Sequence, residues 1–233
     1  MNRFIFDVDG TLTPSRDVID PIFKTWFLRF CLNNAVYIVT GSDKAKTIEQ
    51  IGEDVWHACA RVYQCSGNDV WEQDQNIRVN SFEPTDDMNK FFSVWLNLSN
   101  YSVRTGQHVD VRPGLINFSI LGRGATRDQR SAYVKYDEEH NERRTITEAF
   151  NNYFRPGFVA QVAGETGIDI MRAGEDKSQI IRDFASDDRL HFFGDKIMPG
   201  GNDYTLATEV IKKSGSVYSV RDWRETWHHL KRS

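Results

Sequence analysis

The spacing of apolar residues along the chain changes character twice. Residues 3–8 form a short apolar run around Phe4-Ile5-Phe6 that reads as a strand ending in an acidic turn, Asp7-Val8-Asp9-Gly10-Thr11. Phe23, Trp26, Phe27 and Phe30 recur at i, i+3, i+4 and i+7, which predicts an amphipathic helix. Ala35–Val39 reads as a second buried strand, closed by Thr40-Gly41-Ser42-Asp43. A helix over about 44–51 follows, with another short strand over 61–65. Strand, helix, strand, helix predicts a parallel sheet with crossover connections.

After about residue 80 the pattern changes. Residues 83–97 read as a helix, and alternation then takes over: Val109 and Val111 flank Asp110, and a strand is expected over 115–123. Arg112-Pro113-Gly114-Leu115 between them has Pro and Gly where a type II turn places them. Ile116, Phe118 and Ile120 share one face of that strand, with Asn117, Ser119 and Arg123 on the other. Thr126-Arg127-Asp128-Gln129 resembles a capping box opening a helix. A helix over 145–153 and strands over 157–163 and 168–172 complete this region. From about Gly174 the first texture returns, with a helix over 177–184, strands over 190–193 and 216–220, and a terminal helix. The expected organisation is an α/β core of residues 1–80 and 174–233 interrupted by an α+β insert of residues 81–173.

Composition narrows the class. Hydrophobic residues make up 39% and charged residues 27%, as in an ordinary soluble domain, and a net charge of −4 suggests no general affinity for nucleic acid or membrane. The cysteines Cys31, Cys59 and Cys65 have no metal-site spacing and read as free thiols. The first apolar run is too short for a signal peptide, and no stretch approaches the ~20 apolar residues of a membrane span. A cytoplasmic location is expected.

The candidate chemistry lies at the ends of the core strands. In a doubly wound sheet the carboxyl ends of the strands meet at one crevice, so Asp7, Asp9, Thr40, Ser42 and Asp195 are expected to converge there, with Lys177 in reach from a helix start. A carboxylate that attacks phosphorus must approach a group already negative. A hard dication such as Mg²⁺, held by carboxylates, removes that repulsion. Asp7 can serve as nucleophile and ligand, and Asp9, two residues on, as general acid. Asp-x-Asp alone fits a strand ending in a polar turn equally well.

The neighbouring residues add a resemblance. Residues 6–13 (Phe-Asp-Val-Asp-Gly-Thr-Leu-Thr) resemble the first motif of the haloacid dehalogenase (HAD) superfamily. Thr40 or Ser42 matches its second motif, Lys177 its third, and Gly194-Asp195 with Gly200-Gly201-Asn202-Asp203 its fourth. Within that superfamily the chain resembles the eukaryotic-type phosphomannomutases over residues 7–16, 41–43, 112–130 and 192–203. The resemblance implies a HAD-like, Rossmann-like doubly wound parallel sheet whose α+β insert is a cap over the substrate. It implies Asp7, Asp9 and Lys177 as catalytic residues and phosphate binding by Thr40, Ser42 and Lys177. Mg²⁺ would be held by Asp7, Asp9, Asp195, Asn202 and Asp203. Arg16, Arg112, Arg123, Arg130 and Asp169 fall on that family's substrate-binding positions. Gly167 stands where the family has a substrate-contacting serine, and residues 206–210 depart from its second cation loop, so no second ion is expected.

The basic residues fit such a substrate. Between Val103 and Lys135 lie Arg104, Arg112, Arg123, Arg127, Arg130 and Lys135, opposed only by Asp110 and Asp128. Guanidinium forks match phosphate oxygens, although a solvated basic face would read the same. The resemblance implies interconversion of hexose (mannose) 6-phosphate and 1-phosphate through an aspartyl-phosphate, with a hexose 1,6-bisphosphate as activator and a possible homodimer through the cap. A Mg²⁺-dependent sugar-phosphate phosphatase on the same scaffold is the alternative, and a sugar-phosphate-binding module without turnover a third.

Overall fold

Residues 1–232 are described by the computed structural model, in which they form two compact units, residues 1–79 with 174–232 and residues 80–173. The first unit opens with β1 (Asn2–Phe6), α1 (Pro21–Asn33), β2 (Ala35–Val39), α2 (Lys44–Ile51), α3 (Glu53–Ala58), β3 (Arg61–Gln64), β4 (Asp69–Glu72) and β5 (Gln75–Val79). The second unit runs α4 (Asp86–Leu98), β6 (Val109–Arg112), β7 (Leu115–Phe118), α5 (Arg127–His140), α6 (Glu142–Phe154), β8 (Phe158–Ala163) and β9 (Gly167–Arg172). The chain re-enters the first unit through a 3-10 helix (Lys177–Asp183), β10 (Arg189–Gly194), α7 (Tyr204–Lys212), β11 (Ser216–Ser219) and α8 (Trp223–Leu230).

The first unit is a seven-stranded sheet in the order β11-β10-β1-β2-β3-β4-β5. The five strands from β11 to β3 are parallel, and β4 and β5 add an antiparallel edge. Successive residues of β1 serve opposite faces. Phe4 and Phe6 pack with Phe23 and Phe27 of α1, Val55 and Trp56 of α3 and Leu230 of α8. Ile5 packs with Ile180, Leu206 and Val210 on the other side. Both faces are therefore covered, which is why these strands are almost continuously apolar. Caps set the helix starts: the Asp20 carboxylate accepts the Ile22 and Phe23 N–H groups ahead of Pro21, and Asp43 accepts that of Lys46.

The second unit carries an antiparallel sheet in the order β6-β7-β9-β8. Ile116, Phe118, Ile168 and Ile170 on one face pack with Met88 and Phe92 of α4, Tyr133 of α5, and Ile146 and Phe150 of α6. Pro113 and Gly114 form the loop between β6 and β7, and Gly114 takes the positive φ (58°) that the expected turn requires. Thr126 and Gln129 form a capping box at the start of α5.

Two expectations change. The strand expected over 115–123 ends at Phe118, because the Ser119 hydroxyl donates to the Thr166 carbonyl and accepts the Gly122 N–H, turning the chain. The helix expected over 177–184 is a 3-10 helix ending at Asp183. The β4–β5 hairpin and α3 were not anticipated. Among the described residues no helix is long and apolar enough to cross a membrane.

Phe118 is fully buried and stacks on Phe92 with ring centroids 4.8 Å apart. Phe118→Ala is expected to destabilise the second unit by about 3–5 kcal/mol, read as an earlier urea transition. An unchanged transition would contradict this core.

Candidate active site

Strand order decides where the polar residues meet. The chain moves from β1 to β2 and β3 on one side and returns to β10 and β11 on the other, so the order reverses between β1 and β10. Loops diverge there, and a crevice opens at the carboxyl ends. Asp7 leaves β1 at that point, its N–H donating to the Phe193 carbonyl at 3.0 Å. Asp195 follows β10, and Thr40 follows β2, the other neighbour of β1.

Two glycines make room for the acids. Gly10 has φ 79°, and a Cβ there would lie 2.7 Å from Asp195 Oδ2. A Cβ on Gly194 would lie 2.7 Å from Asp203 Oδ2. The result is a cluster in which oxygen atoms of Asp7, Asp195 and Asp203 all lie within 4.8 Å of one another. Asp7 is 4% exposed and Asp203 fully buried.

Lys177, at the start of the 3-10 helix, is buried among them. Its ammonium donates to Asp7 Oδ1 at 2.6 Å and to Asp203 Oδ1 at 2.7 Å. Burial opposes its charge, but Asp203 and Asp7 outweigh that and hold it protonated. Burial pushes the Asp7 carboxyl well above the usual carboxylate range, with Asp203 and Asp195 adding to the effect and Lys177 opposing it. Asp195 is pushed up to about 6, by burial first and then by Asp203 and Asp9, against Lys196 and Lys177.

Three carboxylates against one ammonium leave two negative charges when all are ionised (−3 + 1 = −2). Without a cation the cluster relieves that excess by keeping protons. An all-oxygen donor set with two surplus charges suits a hard dication such as Mg²⁺. Asn202 fits the same set, because its Oδ1 is buried with no hydrogen-bond partner among the described residues. Asp203 also braces the backbone, since its Oδ2 accepts the Lys196 N–H at 3.2 Å and so ties the turn after β10 to Lys177.

Asp9 is not one of the clustered carboxylates and is held by other partners. Its Oδ1 accepts the Arg16 backbone N–H at 2.6 Å and the Gln50 side-chain amide at 2.8 Å. Thr40 is buried, and its hydroxyl oxygen accepts the Ser42 N–H at 3.1 Å, so its proton can be given elsewhere. The backbone of Thr40 and Ser42 is held by N–H groups of Ser66 and Cys65, in a turn where both of the latter residues have positive φ.

Arg112, Arg123, Arg130 and Asp169 belong to the second unit. The β-pairing places Asp110, Asn117, Asp169 and Gln161 in one row across the sheet face opposite its core. Arg112 donates to Asp110 Oδ2 at 2.8 Å and Arg123 ion-pairs with the same oxygen, so two guanidinium groups converge on one carboxylate. Asn117 donates to Asp169 Oδ1 at 2.6 Å. Arg130 stands apart from this row, 4.0 Å from Glu165. A Cβ on Gly167 would lie 2.5 Å from Asn117 Nδ2, so in this chain the Asn117 carboxamide takes the space a larger residue at 167 would need.

Sequence reasoning missed Gln50, Asn117 and Asp110, each of which holds a candidate site residue in place. The available signal was a polar residue on a buried face: Gln50 lies with Thr47 and Ile51 on the inward side of α2.

Comparison with known proteins adds identity to this geometry. The family model for eukaryotic phosphomannomutase matches residues 24–232. The chain is similar to the phosphomannomutase of Saccharomyces cerevisiae, at 30% identity over 94% of this chain and 89% of that protein. It is also similar to phosphomannomutase 1 of Dictyostelium discoideum, at 31% identity over 94% and 92%. Among solved structures, a haloacid dehalogenase-like hydrolase from Bacteroides thetaiotaomicron aligns with TM-score 0.65 at 10% identity, covering 99% of this chain and 98% of that one. An IMP-bound IMP-nucleotidase of Plasmodium falciparum aligns with TM-score 0.63 at 14% identity, over 99% and 66%. At such identities these structures carry the fold alone.

The raised Asp195 carboxyl gives a pH dependence. A native carboxyl that keeps its proton to about pH 6, against about 3.9 when unfolded, loses its stabilising contribution as pH rises through that window. The same proton competes with a cation. The rise in melting temperature on adding Mg²⁺ is therefore expected to be larger at pH 8 than at pH 5. An equal rise at both would contradict cation binding at these carboxylates.

Proposed function

The chain belongs to the eukaryotic phosphomannomutase family, and on that premise we propose that it interconverts hexose 6-phosphate and hexose 1-phosphate through a phosphorylated Asp7. One observation carries the proposal: a buried carboxylate at the end of the central strand, 2.6 Å from a buried ammonium and within 4.8 Å of two further carboxylates. Such crowding is costly unless phosphate chemistry and a cation use it.

Lys177 engages Oδ1 of Asp7, so Oδ2 is the oxygen offered to phosphorus. The ammonium then neutralises part of the charge that develops as the phosphoryl group arrives. Asp7, the Asp9 carbonyl, Asp195 and Asn202 would hold Mg²⁺, with Asp203 supporting. When bound, the dication supplies charge neutralisation for the transferring phosphoryl oxygens. Thr40 and Ser42 would donate hydroxyl protons to those oxygens. Asp9 would give a proton to the departing sugar oxygen and take one from the incoming hydroxyl, which is general acid–base catalysis by a carboxyl held near the nucleophile.

A mutase must bind a phosphate at either end of the sugar. Arg112, Arg123 and Arg130 would hold the non-reacting phosphate, and Asp169 the sugar hydroxyls. Asp110 keeps two of these guanidinium groups together until an anion replaces it. The thiols of Cys31, Cys59 and Cys65, unpaired in disulfides at sequence spacings that suggest no metal site, suit a reducing compartment such as the cytoplasm.

The proposal is tested with mannose 1-phosphate and a hexose 1,6-bisphosphate, followed by phosphorus NMR. Mannose 6-phosphate is the expected product, and free phosphate without isomerisation would favour a phosphatase instead. Asp7→Asn is expected to lower turnover by at least about a thousandfold, and retained activity would exclude Asp7 as nucleophile. Arg123→Ala is expected to raise the KM for hexose phosphate about tenfold while sparing hydrolysis of a small aryl phosphate. Equal losses on both substrates would contradict the anion-binding role.

A further inference from the structure

Gln50 is 1% exposed, on the inward side of α2. A carboxamide is costly to bury unless its hydrogen bonds are made. Here only one end makes them. Nε2 donates to Asp9 Oδ1 at 2.8 Å and to Thr13 Oγ1 at 3.3 Å, while Oε1 has no partner among the described residues. Methionine would fill similar space without an orphaned acceptor. The amide is therefore explained by what it donates.

The receiving oxygen is held from a second direction. Arg16 adopts φ 55°, a left-handed conformation that a residue with a side chain rarely takes, and its N–H donates to the same Asp9 Oδ1 at 2.6 Å. Two donors from separate segments thus fix one oxygen of Asp9 and the plane of its carboxyl group. Oδ2 is left as the oxygen that can meet a substrate.

We propose that Gln50 is a positioning residue for proton transfer, orienting Asp9 so that Oδ2 faces the bridging oxygen of the sugar phosphate. The inference rests on the role of Asp9 given above. The backbone bond from Ile19 N–H to the Gln50 carbonyl, at 2.8 Å, survives any substitution of the side chain, so the tie between α2 and the loop before α1 is kept.

Leaving-group dependence separates this role from a merely structural one. A sugar oxygen must receive a proton as it departs, whereas dinitrophenolate leaves without one. Gln50→Met is expected to lower kcat for hexose phosphate by about tenfold to a hundredfold, part of what general acid catalysis supplies, with KM changed less than about twofold. The first-turnover release of dinitrophenolate, which reports phosphorylation of Asp7 and not the later attack on the aspartyl-phosphate, should keep a rate within about twofold of the unsubstituted enzyme. The ratio of the two rates on one sample does not depend on the fraction folded. An equal fall on both substrates, or an unchanged kcat for hexose phosphate, would overturn the role of Gln50. If the unsubstituted enzyme turned over no hexose phosphate, the mutase reading would fail instead, and the same comparison with a simple alkyl phosphate would still decide the role of Gln50.

Discussion

Crowding of negative charge at the end of β1 is the constraint on which the rest of the structure turns. Asp7, Asp195 and Asp203 are brought together in a largely buried place, and among the described residues Lys177 is the one ammonium buried with them. Burial makes each charge expensive and each attraction strong. The arrangement suits the binding of positive charge. A site at rest with every charge balanced would have no such driving force.

The fold exists in service of that placement. β1 lies between β10 and β2, apolar on both faces, so its end is held by a strand on either side and a core cluster on each face. Gly10 and Gly194 have no side chains where the carboxylates approach. The Lys177 helix is tied to the turn after β3, since Gln179 donates to the Ser66 carbonyl at 2.8 Å. That turn holds the backbone of Thr40 and Ser42 as well. One strained segment thus sets the cation and the hydroxyl residues in a common frame.

Much of this was legible in the sequence, for reasons that are local. An apolar run closed by an acidic turn marks a strand end, and the doubly wound rule then brings Asp7 and Asp195 together. Ala35–Val39 and Lys44–Ile51 are formed as their patterns suggest. What failed was tertiary or unpatterned. Polar and apolar residues alternate only over Asn76-Ile77-Arg78-Val79, too short a run to betray an edge strand, and four of the five residues of Gln75–Val79 are exposed. The early end of β7 depends on a hydroxyl, Ser119, bonded to residues both near and far in the chain. Gln50 and Asn117 hold site carboxylates across 41 and 52 residues of sequence, and no motif announces such partners.

The central claim is that Asp7 carries the phosphoryl group. Its most direct test is to mix the enzyme with a hexose 1,6-bisphosphate and Mg²⁺, quench in acid, and locate the phosphorylated peptide by mass spectrometry. The account predicts one added phosphoryl group, on the peptide containing Asp7 and labile to hydroxylamine as an acyl phosphate must be. A phosphoryl group on any other residue, or none under conditions of full turnover, would contradict it.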